Sequence, residues 1–164
     1  MIRLLENDSI KELKKYDTVE YAGHEWYIVS LDSKSAILLL KDDVRARHIF
    51  DTGSTEYAKS AIRKYLLQQV LPKLVSKGAN PKPARLPDSG VSDKLWLLSV
   101  DEAEKIPKGI RKFPDRWWLR TPSYNPGCVA DVFSDGDIIY DGFNVPDYKF
   151  AVRPAMWVDL EELQ

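Results

Sequence analysis

The chain has 164 residues and a formal net charge of −1, and 44% of its residues are hydrophobic while 30% are charged. This composition predicts one soluble globular domain over residues 1–164, since it is too hydrophobic for a disordered chain and lacks the basic excess of nucleic-acid-binding domains. The single cysteine, Cys128, excludes an intrachain disulfide and a cysteine-rich zinc site.

Residues 1–9 lack the apolar core of a signal peptide. The longest apolar run, residues 36–40, is too short to cross a bilayer. We therefore expect a cytoplasmic protein with no membrane partner. For a phage-encoded protein, the corresponding locations are the host-cell cytoplasm or the virion.

The first half of the sequence predicts a short helix, an antiparallel meander and one long helix. Ser9 and Glu12 fit a capping box that opens a helix through Lys15. Three strand-like runs separated by short turns follow, at Thr18–Tyr21, His24–Leu31 and Ser35–Leu40. Apolar residues at helical spacing over residues 55–75 predict the long helix, which Pro72 kinks or ends.

The second half predicts more strands and a shorter second helix. Ser99 caps this helix, acids fill its first turn, and Pro107 ends it. The strand-like runs are residues 94–100, 117–120, 129–133, 138–140 and 150–158. Asp135-Gly136 predicts a hairpin turn, residues 141–148 a loop, and Pro154 an edge or bulge position. The predicted class is α+β, with antiparallel sheets, one long helix and a shorter second helix.

The two ends of the C-terminal region carry recognisable motifs, WWLRTPS at residues 117–123 and AVRPAM at residues 151–156. Three earlier segments accompany them: GHEWYIV at 23–29, YAKSAIRKYL at 57–66 and LWLLS at 95–99. In this order the five segments resemble an uncharacterised domain family of bacteria and their phages, with a WWLRSPG…GVRPAL signature. Ser123, Ala151 and Tyr65 stand where that pattern has glycine, glycine and tryptophan.

That family layout is similar to the C-type-lectin-like fold, in the branch shared with formylglycine-generating enzymes. The resemblance implies a loop-rich, ligand-facing region framed by the two arginine-containing strands. Fold analogy carries function poorly. Formylglycine chemistry needs cysteines, and the chain has only Cys128, so the resemblance does not imply that activity.

Arg120 and Arg153 lie within the two apolar motifs and have two interpretations. They form a clamp for a carboxylate or phosphate, or they are structural and hold loop carbonyls or a carboxylate such as Asp131. The structural interpretation is preferred, because an arginine in an apolar strand must find partners within the fold.

The sequence gives little support for a metal site or for a cysteine nucleophile. Four aspartates, Asp131, Asp135, Asp137 and Asp141, lack the ligand spacing of an EF-hand, and the hairpin turn explains Asp135-Gly136. Asn125, Asn144 and Asp147 would have to complete a lectin-type calcium site. Nothing places His24 or His48 beside Cys128, so a buried, inert thiol is expected. We predict no metal, no cofactor and no catalytic residue.

The five tryptophans are expected in the core, although strand alternation leaves either Trp117 or Trp118 partly exposed. Contact residues are therefore expected in the loops at 121–127 and 141–149. The candidates are Tyr124, Asn125, Phe143, Asn144 and Tyr148.

These observations favour a non-catalytic binding module, an accessory or inhibitory protein of phage or bacterial origin that binds another protein through its C-terminal loops. The alternative is an enzyme or receptor for a small anionic or carbohydrate ligand, anchored by Arg120 and Arg153. A third hypothesis is a structural subunit or homo-oligomer.

Overall fold

A computed structural model describes the backbone of residues 2–4 and 10–164, and side chains from residue 12 onward. At its N-terminal end β1 (Ile2–Leu4) pairs antiparallel with β2 (Ile10–Glu12). The predicted helix through Lys15 is therefore wrong. Its proposed cap, Ser9, lies outside the described residues.

The meander expected from the sequence forms most of a four-stranded antiparallel sheet. Its strands are β3 (Thr18–Tyr21), β4 (His24–Leu31) and β5 (Ser35–Leu40), with the bounds that the sequence predicted. β11 (Ala155–Asp159) pairs with β5 and gives the order β11-β5-β4-β3. Pro154 directly precedes this edge strand, where its missing N–H costs the ladder nothing.

The long helix is present but interrupted. A 3-10 turn (Tyr57–Lys59) precedes α1 (Ala61–Tyr65), and a π-helical stretch (Leu66–Val70) leads into α2 (Leu71–Ser76). The Ser60 hydroxyl caps α1 by accepting a hydrogen bond from the Arg63 amide. Pro72 therefore lies in the first turn of α2, where proline is tolerated.

A small hairpin follows the helix, and its turn carries Asp88. Its strands are β6 (Ala84–Leu86) and β7 (Val91–Asp93). Buried Asp93 accepts two hydrogen bonds of 2.8 Å from the Arg63 guanidinium, which ties the hairpin to α1. Residues 94–100 form a single bridge, Trp96 to Ala155, rather than the predicted strand.

Two short helices lead to the second sheet. Ser99 and Glu102 form a capping box at α3 (Val100–Glu104), as the sequence predicted, and Pro107 starts α4 (Lys108–Arg111). The sheet has the order β10-β9-β8. Its strands are β8 (Trp117–Pro122), β9 (Cys128–Val132) and β10 (Ile138–Asn144). A 3-10 turn (Leu160–Leu163) ends the fold.

The predicted loop at residues 141–148 is partly wrong, because β10 continues to Asn144 across a bulge. Gly142 makes this possible with a φ of +67°, and a Cβ there would collide with the carbonyl oxygen of Val129. The Asp135-Gly136 turn forms as predicted, with Gly136 at φ +95°.

Four tryptophans anchor the core between the sheets: Trp26, Trp96, Trp117 and Trp118. The expectation that Trp117 or Trp118 is partly exposed is wrong, because both are 0% exposed. Trp118 packs against Phe50 and Phe150, and its indole donates a hydrogen bond to the His48 carbonyl. Trp117 packs against the Arg153 guanidinium. None of the helices in residues 10–164 is long and apolar enough to span a membrane. The architecture is therefore mixed α+β with antiparallel sheets.

Candidate binding site

An open hollow of about 450 Å³ lies where β8, α3 and the β6–β7 turn meet. Arg120, on β8, lies at its base and is 2% exposed. Tyr124, Tyr140, Asp88 and Glu102 are among the residues around it. The hollow is therefore bordered by strand β8, helix α3 and part of the predicted contact loop at residues 121–127.

Two carboxylates hold the Arg120 guanidinium. Asp88 accepts from Nε at 3.1 Å and from Nη2 at 2.8 Å, and Glu102 accepts from Nη1 at 2.6 Å. Nη1 also donates to the Leu97 carbonyl at 2.7 Å. Burial acts to lower the pKa of Arg120, but the hydrogen bonds that it donates to Asp88 and Glu102 outweigh this effect and raise that pKa. The guanidinium is charged and has two carboxylate partners.

The capping box explains why Glu102 is in place. The Glu102 carboxylate accepts from the Ser99 amide at 2.8 Å, and the same oxygen accepts from Arg120. The Thr121 hydroxyl accepts from the Val100 amide at 2.9 Å, which fixes the start of α3 against β8. A local capping motif thus also provides a tertiary ion pair.

Tyr124 and Tyr140 are large, exposed aromatic residues at the edge of the hollow, with 77% and 49% exposure. The Tyr124 hydroxyl donates to Asp141, and the Tyr140 hydroxyl donates to Glu104 at 2.6 Å. These hydrogen bonds to carboxylates raise the pKa of both phenols. Each ring is held by its hydroxyl and presents apolar surface to solvent.

The charge of the hollow is negative. Among the described residues that line it, three carboxylates (Asp88, Asp101 and Glu102) face one guanidinium, that of Arg120. Asp88 and Glu102 keep 43% and 39% of their side-chain surface exposed. The surface therefore attracts cations.

The five predicted contact residues fall into two groups. Tyr124 lines the hollow, and the neighbouring Asn125 does not, although its amide donates to the carbonyl of Asp141, the residue that also holds the Tyr124 hydroxyl. Phe143 and Tyr148 instead meet edge-to-face at 4.8 Å. Asn144 lies between the groups, within 3.1 Å of both Asp147 and the Cys128 sulfur.

Phe143, of the second group, is one of three phenylalanine rings beside Arg116. The Arg116 guanidinium lies 4.6 Å from the Phe133 ring and 4.4 Å from the Phe143 ring. It also pairs with buried Asp131 at 3.3 Å, so the predicted pairing of Asp131 with Arg120 or Arg153 is wrong. Burial raises the pKa of Asp131 to about 6, although Arg116 opposes the shift.

Arg153 lies apart from the hollow and is 0% exposed. Its guanidinium donates to four backbone carbonyls, those of Leu40, Lys41, Ile110 and Arg111, at 3.0 to 3.4 Å. It also lies 4.6 Å from the Trp117 ring. Burial lowers its pKa to about 10. Arg120 and Arg153 therefore have separate partners and do not converge on one ligand.

The aspartates singled out by the sequence have separate roles. Asp137 pairs with Lys108 at 2.6 Å, and Asp135 accepts from the Asp137 amide in the hairpin turn. No group of three or more histidine, cysteine, aspartate or glutamate side chains suited to a metal occurs in the described part of the chain. Cys128 is half-buried rather than buried, and His48 stacks on Tyr65 at 4.7 Å.

Three residues that line the hollow escaped sequence reasoning as site residues, Asp88, Glu102 and Tyr140, as did Glu104, which holds the Tyr140 hydroxyl. Asp88 lies in a proline-containing loop that is far from Arg120 in sequence, so no local pattern joins them. The position of Tyr140 could have been predicted to be exposed. It follows the apolar pair Ile138-Ile139 and precedes the polar pair Asp141-Gly142, where a hairpin strand leaves the core.

A search of curated proteins and a search of solved structures each returned no significant match to this chain. A family model described as "Domain of unknown function (DUF6273)" matches residues 34–160, which include both sheets except strands β3 and β4. The match agrees with the expected membership of an uncharacterised domain family. Because it covers most of the chain, the protein belongs to the DUF6273 domain family.

Proposed function

We propose that the protein is a non-catalytic binding module that takes a protein partner on the hollow formed by Tyr124, Tyr140, Asp88 and Glu102. The observation that carries this proposal is the pair of exposed tyrosines, 77% and 49% accessible, at the edge of an acidic surface. Tyrosine is enriched at protein interfaces, because it buries much area at a low cost in side-chain entropy.

The charge of the hollow gives the chemistry of the partner. Asp88, Asp101 and Glu102 outnumber the single buried guanidinium of Arg120. A partner that presents lysine or arginine side chains would gain charge-assisted hydrogen bonds to these carboxylates and cation–π contacts with Tyr124 and Tyr140. The module is therefore proposed to bind a basic segment of another protein.

The alternative, an enzyme or receptor that anchors a small anion through Arg120 and Arg153, is less well supported. Arg120 already has two carboxylate partners, and Arg153 is occupied by backbone carbonyls inside the core. An anion would have to displace Asp88 or Glu102 from Arg120, at a cost that the surrounding negative charge increases.

Several finer features belong to the same proposal. They are a C-type-lectin-like arrangement of the sheets, a phage or bacterial origin, an accessory or inhibitory role and a cytoplasmic location. An experimental structure compared with lectin-like domains would test the first of these.

The test compares partners captured by the wild-type chain with those captured by Tyr124→Ala and by Val75→Ala. Val75 is a matched control, since it is a 50% exposed apolar residue on α2. Quantitative mass spectrometry of proteins retained from the native host should show a partner that Tyr124→Ala loses at least about tenfold. Val75→Ala should retain it.

A second variant, Tyr124→Phe, keeps the ring and removes only the hydrogen bond to Asp141. We expect it to keep most of the binding. A wild-type partner that survives Tyr124→Ala and Tyr140→Ala together would place the interface elsewhere and contradict the proposal.

A further inference from the structure

A second cavity, of about 290 Å³, lies between the long helix and the first sheet. Its apolar wall comes from Trp26 and Leu40 on the sheet and from Val70 and Leu74 on the helix, with Pro154 beside them. The volume is at the lower end of the range for small-molecule pockets, about 300–1,000 Å³. It is separate from the hollow around Arg120, since the two share no lining residue.

Two departures from regular backbone geometry border this cavity. The π-helical stretch Leu66–Val70 contributes Gln69 and Val70 to its lining. Arg45 contributes from the other side with a φ of +62°, in a turn where its amide donates to Asp43 at 2.9 Å. A left-handed φ is costly for a non-glycine residue, and both π turns and such residues occur frequently at functional sites.

The polar rim of the cavity is cationic. Arg45, Lys73 and Lys77 line it together with His24, and no aspartate or glutamate is among the described lining residues. The Lys77 ammonium lies over the backbone of Gly23, close to where a Cβ would be. Neither lysine ammonium has a hydrogen-bond or ion-pair partner in residues 12–164.

One carboxylate offsets part of this charge, because Asp42 pairs with Arg45 at 3.8 Å in an exposed contact. The excess positive charge is therefore that of Lys73 and Lys77. Burial and the positive charges of Lys77 and Arg45 lower the pKa of His24, although Asp42 opposes the shift. A bound anion would relieve this repulsion.

From this geometry we propose that the cavity binds a small amphiphilic anion, with its apolar body against Trp26 and Leu74 and its carboxylate, sulfonate or phosphate at Lys73 and Lys77. The apolar wall buries the hydrocarbon part. The rim supplies the charge complement. Binding here does not depend on the protein-binding role proposed for the hollow around Arg120.

The test uses a matched pair of fluorescent probes, anilinonaphthalene sulfonate and the uncharged N-phenylnaphthylamine, which differ by the sulfonate. We expect one sulfonate probe per folded chain, bound more tightly than the uncharged probe. In Lys73→Ala/Lys77→Ala the sulfonate probe should bind about three- to tenfold more weakly, while the uncharged probe is unchanged. The control Lys34→Ala/Lys149→Ala removes the same charge elsewhere and should bind as the wild type does.

Val70→Trp places an indole in the cavity and should abolish binding of both probes, with folding checked by near-ultraviolet circular dichroism. Tyr124→Ala should leave probe binding intact, so failure of this inference is distinguishable from failure of the proposed function. Equal affinity for the two probes, or a sulfonate affinity that the lysine pair does not change, would overturn the proposal. Should Val70→Trp fail to fold, the lysine comparison still decides.

Discussion

Arg120 and Arg153 are equally buried arginines that occur in similar apolar motifs, yet their surroundings differ in kind. Arg120 meets two carboxylates whose outer surfaces stay hydrated. Arg153 meets four backbone carbonyls and aromatic rings, and it forms no ion pair with a carboxylate of the described residues. The first arrangement forms the base of a surface hollow, and the second closes the interior.

The difference shows how a buried guanidinium serves two purposes. Ile110 and Arg111 belong to the last turn of α4, whose carbonyls have no partner within the helix. Arg153 donates hydrogen bonds to these two carbonyls and to the carbonyl of Leu40 at the end of β5. It therefore joins elements that are far apart in sequence. Arg120 instead orders carboxylates at a surface where a partner can reach them.

Replacing Arg153 should therefore cost the most. Arg153→Met leaves buried carbonyls without donors and removes the aromatic stacking. We expect a loss of about 4–5 kcal/mol in the free energy of unfolding, measured by chemical denaturation. Arg85→Ala, at an exposed arginine, is the control and should stay within about 0.5 kcal/mol of the wild type. A small loss at Arg153 would mean that water replaces the guanidinium.

Arg120→Met should cost less, about 2–3 kcal/mol, because Asp88 and Glu102 are partly exposed and regain hydration when the guanidinium is gone. The same denaturation experiment measures this loss. Equal losses for the two arginine variants would contradict the distinction between a surface-facing and an interior guanidinium.

Asp131 sharpens the comparison, because it is a buried carboxylate with one partner and an oxygen that has none in the described structure. Its pKa of about 6 in the folded state lies above the ordinary value of 3.8. The folded state therefore binds more protons between about pH 4 and 6, and this group's contribution to stability falls as pH rises through that window. The loss is on the order of 2–3 kcal/mol by pH 7.

The measurement is the difference in unfolding free energy between the wild type and Asp131→Asn at pH 4 and pH 7. The wild type should lose stability relative to the variant as pH rises. The comparison cancels the opposite trend from Asp32, Asp51 and Asp137, whose lowered pKa values favour folding above the acidic range. A pH-independent difference would mean that Asp131 has an ordinary pKa in the folded state.

Local patterns allowed much of the fold to be predicted. Alternation and short turns gave the bounds of β3, β4 and β5, and the capping box gave the start of α3. The prediction failed where strand pairing overrides local preference. Ile10–Glu12 pairs as a strand with Ile2–Leu4 despite its capping pattern, and β10 continues across a bulge where only glycine fits beside the Val129 carbonyl.

The candidate site was less predictable, because its ion pairs join residues far apart in the chain. Arg120 and Tyr124 were identifiable from the sequence, but Asp88 is 32 positions from Arg120. Ser99 and Glu102 were visible as a helix cap, and their second role with Arg120 depends on how α3 packs against β8. Whether the predicted contact residues bind a partner stays a prediction.

The π-helical stretch also sets the rotational phase of the helix. On an uninterrupted α-helix with 3.6 residues per turn, Leu74 would face about a third of a turn away from Ile62. The wider turn between them delays the rotation, so that both side chains are buried, at 4% and 0% exposure. Because a π turn has the form of a one-residue insertion, a chain that lost one of these residues could not bury both Ile62 and Leu74, and rotating Leu74 out of the core would also turn the cationic face of α2 away from the cavity.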